Sequence, residues 1–214
     1  MKRFKYEFLS EAIKNDVLTF GDFELKSGRR SPYFFNAGKF SSGSAITTLG
    51  RCYAAAIVES KLPFDVLFGP AYKGIPLTIA TVSALYEVYG LEVGYCYNRK
   101  ERKTHGEGGR LVGAPPVGNI LIIDDVITAG TAVTQIFHLL NDKQEARVVG
   151  VVVGLDRREI ADDGNTVAQK LQKKFNIPII SVIDIDDIFA FLLERPEMRV
   201  WANAVEDYRH KYGI

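Results

Sequence analysis

Two kinds of hydrophobic spacing alternate along the chain. Continuous aliphatic runs, such as residues 120–123 and 146–155, are typical of strands buried on both faces of a parallel sheet. Between the runs, apolar residues recur every three or four positions, which predicts amphipathic helices. Predicted strands are residues 65–68, 92–98, 120–123, 146–155 and 177–183, and predicted helices lie near 4–13, 46–57, 74–85, 132–140, 168–175 and 201–208. This alternation predicts an α/β fold: a doubly wound, mainly parallel sheet of about five strands with helices on both faces.

The first 40 residues or so do not follow this alternation. After one helix, short extended pieces at residues 19–21, 23–26 and 33–36 surround turns, so we expect a small N-terminal hood over the ligand edge of the sheet. Phe34 and Phe35 are neighbours on one of these strands, so only one ring can face the core while the other faces outward or toward a ligand. Packing within the hood is the alternative for both rings. Composition changes nowhere sharply, so residues 1–214 are predicted to form one domain.

The charge balance is nearly neutral. The 214 residues include 27 Lys and Arg and 26 Asp and Glu, a net charge of +1, so neither nucleic acid nor a membrane is expected as a partner. Glu7 and Glu11 interrupt any signal-peptide pattern, and the apolar run at residues 148–155 is too short to cross a membrane. Cys52 and Cys96 lie in apolar patterns without metal-ligand spacing, as expected of reduced core residues. A cytoplasmic protein is predicted.

Chemistry is indicated where the strand at residues 120–123 ends. Asp124 and Asp125 follow it directly, and a turn of small and hydroxyl residues at 128–131 leads into a helix. A helix N-terminus can bind a phosphate, whereas the carboxylates would repel one. They should therefore face sugar hydroxyls, a metal ion or a carbon that becomes cationic, which together suggest a phosphorylated ribose reacting at its anomeric carbon. Alternatively, the pair only caps the turn.

Three further segments could complete such a site. Residues 69–74 form a second Gly-containing turn between strand and helix, which is a weak signal for another anion site. Residues 99–110 contain five Lys or Arg, one His and three Gly without any apolar residue, so they form either a solvated hairpin arm or a lid over phosphates. Arg157 and Arg158 follow the strand at 146–155, and an Arg at this strand end could bind a planar carboxylated base.

Several of these segments resemble one known family. Residues 122–132, IIDDVITAGTA, resemble the phosphoribosyl-pyrophosphate motif of the type I phosphoribosyltransferases. Residues 99–109, RKERKTHGEGG, resemble the catalytic loop of the orotate phosphoribosyltransferases, and the Leu-Asp-Arg sequence ending at Arg157 matches them too. The resemblance implies the type I phosphoribosyltransferase fold, a mobile catalytic loop at about 99–117, and a loop at 69–74 that often contains a non-proline cis peptide.

The resemblance also implies an activity and its participants. The reaction would join orotate and phosphoribosyl pyrophosphate into orotidine 5′-phosphate and pyrophosphate, in de novo pyrimidine (UMP) biosynthesis. Mg²⁺ would be held mainly through phosphoribosyl pyrophosphate, with no direct protein ligand, in a homodimer whose active sites are shared between chains. The implied substrate-binding residues are Lys26, Phe34, Phe35, Tyr72, Lys73, Arg99, Lys100, Lys103, His105, Asp124, Asp125, Val126, Ile127, Thr128, Ala129, Gly130, Thr131, Ala132 and Arg157. Those implied in catalysis are Lys26, Lys73, Arg99, Lys100, Lys103, His105, Asp124 and Asp125.

Alternatives remain for the function of the whole protein and for the roles of single residues. A phosphoribosyltransferase for another base, such as a purine, or a non-catalytic ligand-sensing regulator of the same fold would share the central motif. Arg158 could exchange roles with Arg157, although we expect it to be a surface charge. The acidic residues at 184–187 are interpreted as a helix N-terminus rather than a metal site. His138 and His210 lie in helical patterns and are expected to be structural or exposed.

Overall fold

The computed structural model describes residues 1–25, 27–103, 109–127, 130–141, 145–161 and 163–213, except for the side chains of residues 102, 103, 109 and 141. The helices are α1 (Arg3–Lys14), α2 (Gly43–Ser60), α3 (Gly74–Tyr89), α4 (Thr131–Asn141), α5 (Val167–Phe175), α6 (Ile185–Leu193) and α7 (Arg199–Tyr212), with short 3₁₀ turns at Ala37–Lys39 and Pro196–Met198. The strands are β1 (Leu18–Glu24), β2 (Arg30–Phe35), β3 (Val66–Gly69), β4 (Gly94–Lys103), β5 (Gly109–Gly113), β6 (Gly118–Val126), β7 (Ala146–Asp156) and β8 (Ile179–Asp184).

The main sheet has six strands in the order β5-β4-β3-β6-β7-β8. Five of them run parallel, which confirms the predicted core of the sheet. The sixth, β5, pairs antiparallel with β4 at one edge and was not predicted. Because the chain order crosses over between β3 and β6, the carboxyl ends of these central strands form the crevice where ligands bind in such sheets.

Side chains from β6 enter two separate cores. Leu121 and Ile123 pack in the core that includes α1, α2 and α3, whereas Ile120 and Ile122 pack in the core that includes α4 and α5. This alternation along a strand is the reason that its sequence is apolar at every position. It also confirms the prediction of helices on both faces.

The N-terminal strands form a separate two-stranded antiparallel sheet, β1-β2, in place of the three short extended pieces predicted from the sequence. This hairpin packs on the last helix, where the rings of Phe20 and Trp201 stack with centroids 6.2 Å apart. The Phe34 side chain is 43% exposed, whereas Phe35 stacks on Phe8 of α1. The expectation that neighbouring rings face opposite ways is confirmed.

Other expectations about individual residues also hold. Cys52 and Cys96 are buried and free. Asp184 begins α6, because its side chain accepts a hydrogen bond from the backbone of Asp187 while the Asp187 side chain accepts one from the backbone of Asp184. His138 and His210 are exposed on helices. Across the described ranges, no helix combines the length and the hydropathy needed to cross a membrane.

Candidate active site

The acidic pair lies at the carboxyl end of β6. Pairing of β6 with β3 ends at Ile122, whereas pairing with β7 continues to Val126, so the pair stands beside β7 just beyond the end of β3. The Asp124 carboxylate accepts a hydrogen bond from the backbone N–H of Asp125 at 2.9 Å, and Asp125 is only 7% exposed. Burial and the neighbouring Asp125 carboxylate raise the pKa of Asp124 to about 7, against the opposing charge of Lys73.

A tyrosine from α2 supports the backbone of this pair. The hydroxyl of Tyr53, which is almost wholly buried, donates to the carbonyl oxygen of Asp124 at 2.8 Å. It fits because the neighbouring β7 residue is Gly154: a Cβ there would come within 2.7 Å of the Tyr53 oxygen. Sequence reasoning missed this contact, since Tyr53 falls in an ordinary apolar helical pattern.

The loop between β3 and α3 folds tightly against β6. A Cβ at Gly69 would lie 2.4 Å from the carbonyl oxygen of Gly74, and one at Gly74 would lie 2.9 Å from that of Ile123. Both glycines therefore permit a close backbone approach that other residues would prevent. The peptide bond between Ala71 and Tyr72 is cis.

This loop contacts the acidic pair through one side chain and the neighbouring strand through its backbone. Lys73 Nζ lies 2.7 Å from Asp125 Oδ2, and the Tyr72 side chain is 65% exposed. The backbone N–H of Ala71 donates to the side-chain oxygen of Asn98 on β4 at 2.9 Å. The loop with Lys73 is thus joined to β6 by an ion pair and to β4 by an Asn side chain that sequence reasoning did not single out.

The basic segment begins as a two-stranded arm of the sheet. β4 continues to Lys103 and pairs with β5 through Lys103 and Gly109, so the structure contains the hairpin arm that was the alternative to a lid. Arg99 is partly buried, with Nη1 lacking a hydrogen-bond partner among the described residues. The Lys100 ammonium lies 4.6 Å from the centroid of the Tyr72 ring. The Lys103 side chain and all of His105 lie outside the described residues.

The predicted phosphate turn is described only at its two ends. Val126 and Ile127 are partly buried, and Val126 packs against one core while Ile127 packs against the other. Thr128 and Ala129 lie outside the described residues. Gly130 has a φ of +71° and lies against Leu171, and the exposed residues Thr131 and Ala132 begin α4. A helix N-terminus therefore opens at the same sheet edge as the acidic pair.

The two arginines that follow β7 have different surroundings. The Arg157 side chain is 16% exposed and faces the hood, where Nη2 donates to Ser31 Oγ at 2.8 Å. Arg158, which has a positive φ of 49°, pairs with Asp184 at 2.8 Å and Asp186 at 2.7 Å. Arg158, whose side chain is 38% exposed, thus joins the end of β7 to the start of α6 through these ion pairs.

The structure thus brings most of the predicted residues to one edge. Contacts join the acidic pair to Lys73 and the Tyr72 loop to Lys100, and Arg157 directly follows β7, which pairs with β6 as far as Val126. The described contacts of Phe34 are with Phe23, whose ring lies 5.6 Å away within the hood hairpin. Lys26 lies outside the described residues.

Comparison with known proteins agrees with this arrangement. Residues 39–183 match the model of the phosphoribosyl transferase domain family. The chain is 53% identical to the orotate phosphoribosyltransferase of Pseudomonas putida strain W619 and 51% identical to that of Pseudomonas fluorescens, in each case over the full length of both chains. It superposes on the crystal structure of orotate phosphoribosyltransferase from Francisella tularensis with a TM-score of 0.85 and 42% identity, covering 97% of this chain and 99% of that one. The predicted fold and family are confirmed, and the chain belongs to the orotate phosphoribosyltransferases of the phosphoribosyltransferase family.

Proposed function

We propose that this orotate phosphoribosyltransferase carries out its reaction around Asp124 and Asp125, at the carboxyl edge of the sheet. Orotate and phosphoribosyl pyrophosphate give orotidine 5′-phosphate and pyrophosphate. The bond between the anomeric carbon and pyrophosphate breaks, which leaves positive charge on the ribose, and a nitrogen of orotate attacks that carbon, as in related glycosyl chemistry. This step belongs to de novo pyrimidine (UMP) biosynthesis.

The observation that carries the proposal is the Lys73–Asp125 ion pair at the buried acidic pair. Asp124 and Asp125 would hold the ribose hydroxyls and favour positive charge at the anomeric carbon, while Lys73, whose side chain is 56% exposed, is free to turn toward the departing pyrophosphate. The backbone of residues 126–132, at the start of α4, would hold the 5′-phosphate. The roles assigned to Lys26, His105, Thr128 and Ala129 remain predictions.

Mg²⁺ suits this site as a partner of the substrate. Carboxylate oxygens are ligands that Mg²⁺ prefers, and the ion commonly binds one or two carboxylates together with substrate phosphates. Within the described part of the chain, no group of three or more His, Cys, Asp and Glu side chains could hold a metal. The ion would be held mainly through phosphoribosyl pyrophosphate, and when bound it would neutralise the charge of the leaving pyrophosphate.

The basic arm formed by β4 and β5 would serve as the catalytic loop. Arg99, Lys100 and Lys103 all belong to β4, and Lys100 contacts the Tyr72 ring. We expect the charges of the three residues to meet the pyrophosphate. Closing the arm over the substrates would exclude water, which competes with orotate for the activated ribose.

Orotate would bind between the hood and Arg157. The guanidinium would take the orotate carboxylate, and Phe34, which is exposed on the hood, would supply an apolar surface for the planar ring. We expect Arg157→Ala to weaken orotate binding by about 2 to 4 kcal/mol because a charge-assisted pair is lost. Binding of phosphoribosyl pyrophosphate, measured by calorimetry without orotate, should change little. Loss of that binding with orotate affinity intact would contradict the assignment.

A second copy of the chain would pack against α3. Its exposed residues Pro76, Ile79, Ser83 and Tyr86 recur at helical spacing and form one stripe. The stripe starts next to Tyr72 and Lys73, so a homodimer formed through it would place the partner beside the active site. This arrangement supports active sites shared between chains.

The remaining assignments follow from composition. Residues 1–214 would act as one phosphoribosyltransferase domain with the hood at about 1–40. The free, buried Cys52 and Cys96 suit a reducing compartment, so we assign the enzyme to the cytoplasm. Neither nucleic acid nor a membrane is proposed as a partner.

One assay tests the substrate assignment. Purified protein is mixed with phosphoribosyl pyrophosphate and Mg²⁺, and absorbance follows the consumption of orotate, adenine, hypoxanthine or uracil in parallel. We expect consumption of orotate well above that of the other three bases. Preference for a purine would support the alternative of a phosphoribosyltransferase for another base, and no turnover of any base would favour a ligand-sensing regulator.

A further inference from the structure

The Arg157 side chain is held in place from four sides. Nε donates to Glu159 Oε1 at 2.5 Å, while Nη2 donates to Ser31 Oγ at 2.8 Å and lies 3.4 Å from the Tyr208 hydroxyl. The ring of Tyr33 lies 4.2 Å from the guanidinium carbon, close enough for a cation–π contact. Such a side chain has little freedom to change rotamer.

Glu159, the acidic partner of Arg157, is fixed in turn. The Tyr208 hydroxyl donates to Glu159 Oε1 at 2.7 Å, and Arg29 lies 3.6 Å from Oε2. Arg29 itself donates to the carbonyl oxygen of Ile160 at 2.7 Å. Burial raises the pKa of Tyr208 to about 12, so its hydroxyl keeps the proton that it donates. The carboxylate is therefore held where Arg157 meets it.

The charges in this cluster do not cancel. Arg29 and Arg157 share the single carboxylate of Glu159, so the three groups together carry one net positive charge. The described contacts of Arg157 use Nε and Nη2, which leaves Nη1 for a further acceptor. An excess positive charge with an available N–H group suits an anionic ligand such as the carboxylate of a base.

The residues that hold Arg157 come from particular parts of the chain. Ser31 and Tyr33 lie on β2 of the hood, and Tyr208 lies on α7. Both elements are outside residues 39–183, the segment that matches the phosphoribosyl transferase domain. Glu159 lies within the shared segment, whereas the residues that contact Arg157 from the other sides, Ser31, Tyr33 and Tyr208, belong to elements outside it. The support therefore fits the choice of base.

We infer that Glu159 and Tyr208 are positioning residues that fix the Arg157 guanidinium for the carboxylate of orotate, so that the hood and α7 together set base selection. The inference rests on the proposed role of Arg157. Without the Tyr208 hydroxyl, Glu159 loses a hydrogen bond and Arg157 one of its neighbours, and the guanidinium samples orientations that do not meet orotate.

Steady-state kinetics on the full-length enzyme tests this inference. We expect Tyr208→Phe to raise the KM for orotate about threefold to tenfold, because it removes a hydroxyl that fixes Glu159. Glu159→Gln should raise the KM further, because it removes the negative charge of the ion pair that orients the guanidinium. The KM for phosphoribosyl pyrophosphate should stay within about twofold. Tyr212→Phe is the matched control: it removes another hydroxyl from α7, and its ring packs 5.0 Å from Tyr208. It should leave both KM values unchanged.

A double variant separates positioning from structural support. In an Arg157→Gln background the Tyr208→Phe substitution should no longer affect the KM for orotate, because the side chain through which it acts is absent. A persistent effect there, or equal increases in both KM values, would overturn the inference. If Arg157→Gln raises the orotate KM while Tyr208→Phe and Glu159→Gln do not, the inference fails and the role of Arg157 stands. If Arg157→Gln leaves the orotate KM unchanged, the role of Arg157 itself is wrong.

Discussion

At the scale of single residues, Asp124 links the electrostatics of the site to pH. Its pKa is raised to about 7, whereas in the unfolded chain the carboxyl returns to its ordinary acidic value. Between about pH 4 and 7 the folded protein therefore binds more protons than the unfolded chain, and the free energy of unfolding falls as the pH rises.

We expect Asp124→Asn to remove this dependence, because the amide does not titrate. The free energy of unfolding is measured with urea, without substrates, at pH 5 and at pH 8. The difference between the variant and the wild type should shift by about 1 to 3 kcal/mol in favour of the variant as the pH rises from 5 to 8. Asp207→Asn, on the exposed surface of α7, is the control, and its difference in free energy of unfolding from the wild type should not shift in this way. An equal stability difference at both pH values would show that Asp124 is already ionised at pH 5.

The close approach of Tyr53 to Gly154 predicts how substitutions at these two positions affect stability. A methyl group at Gly154 would meet the Tyr53 hydroxyl at 2.7 Å, so Gly154→Ala should destabilise the protein by about 1 to 3 kcal/mol. In a Tyr53→Phe background the same substitution should cost about 1 kcal/mol less, since the clashing oxygen is gone. Chemical denaturation of the four proteins in the cycle measures the difference.

Gly150→Ala on the same strand is the control for this cycle. Its methyl group would meet the side-chain ends of Leu62 and Leu121 at 3.0 and 3.1 Å and the carbonyl oxygen of Pro178 at 3.3 Å, so its effect should not depend on Tyr53. Additive effects of Gly154→Ala and Tyr53→Phe would mean that α2 moves away from the new methyl group. The Tyr53 hydroxyl would then not define the geometry of the acidic pair.

Residues differ in how far sequence could reveal their roles. Asp124 and Asp125 stand in a local strand–turn–helix pattern, so their place at the sheet edge could be predicted. Tyr53 contacts Asp124 across 71 positions and Tyr208 contacts Glu159 across 49, and neither spacing leaves a trace in local periodicity. Such supporting contacts appear only once the fold has brought distant segments together.

At the scale of elements, the buried strands were predictable, whereas the strand pairing within the polar arm was not. β6 and β7 are apolar because each faces two cores, whereas β4 continues past the predicted end at residue 98 to Lys103. Its last residues are charged and lie beyond the final β3 pair, Gly69 with Tyr97. Backbone pairing with β5 extends β4 beyond residue 98. Because this part of the strand has no hydrophobic alternation, no sequence pattern predicts it.

The same pairing predicts uneven stability along β4. Residues 94–97 pair with β3 on one side, whereas regular pairing with β5 ends at Asn98 and Leu111, and the next pair is Lys103 with Gly109. A two-stranded ribbon without a packed face is only marginally stable. We expect the amides of residues 99–103 to exchange hydrogen rapidly in the free enzyme and slowly with orotate and an unreactive analogue of phosphoribosyl pyrophosphate bound.

Amides of residues 94–97 provide the internal control for this measurement. They belong to the same strand, and mass spectrometry should find them protected in both states. Equal protection of the two segments in the free enzyme would identify the arm as a rigid extension of the sheet, and the proposal that it closes over the substrates would fail.

At the scale of the whole molecule, the arm and the exposed stripe of α3 meet at the same place. The arm leaves the sheet beside the Tyr72 loop, and α3 begins at Gly74, directly after Lys73. A second copy packed on the stripe would therefore lie within reach of the arm. This geometry supports a homodimer in which each arm crosses to the partner's site, although Lys100 near the base of the arm still contacts Tyr72 of its own chain.

Mixing two inactive variants tests the shared site. Asp125→Asn damages the acidic pair, and Lys103→Ala damages the arm, so each homodimer should have little activity. If arms cross between chains, each heterodimer has one site with both defects and one with neither. Random mixing makes about half of the dimers heterologous, so about a quarter of wild-type activity should return. Subunit exchange is verified by native mass spectrometry of differently tagged chains. Should each arm serve its own chain, every site in the heterodimer keeps one defect, and activity stays at the level of the parents even when exchange is complete.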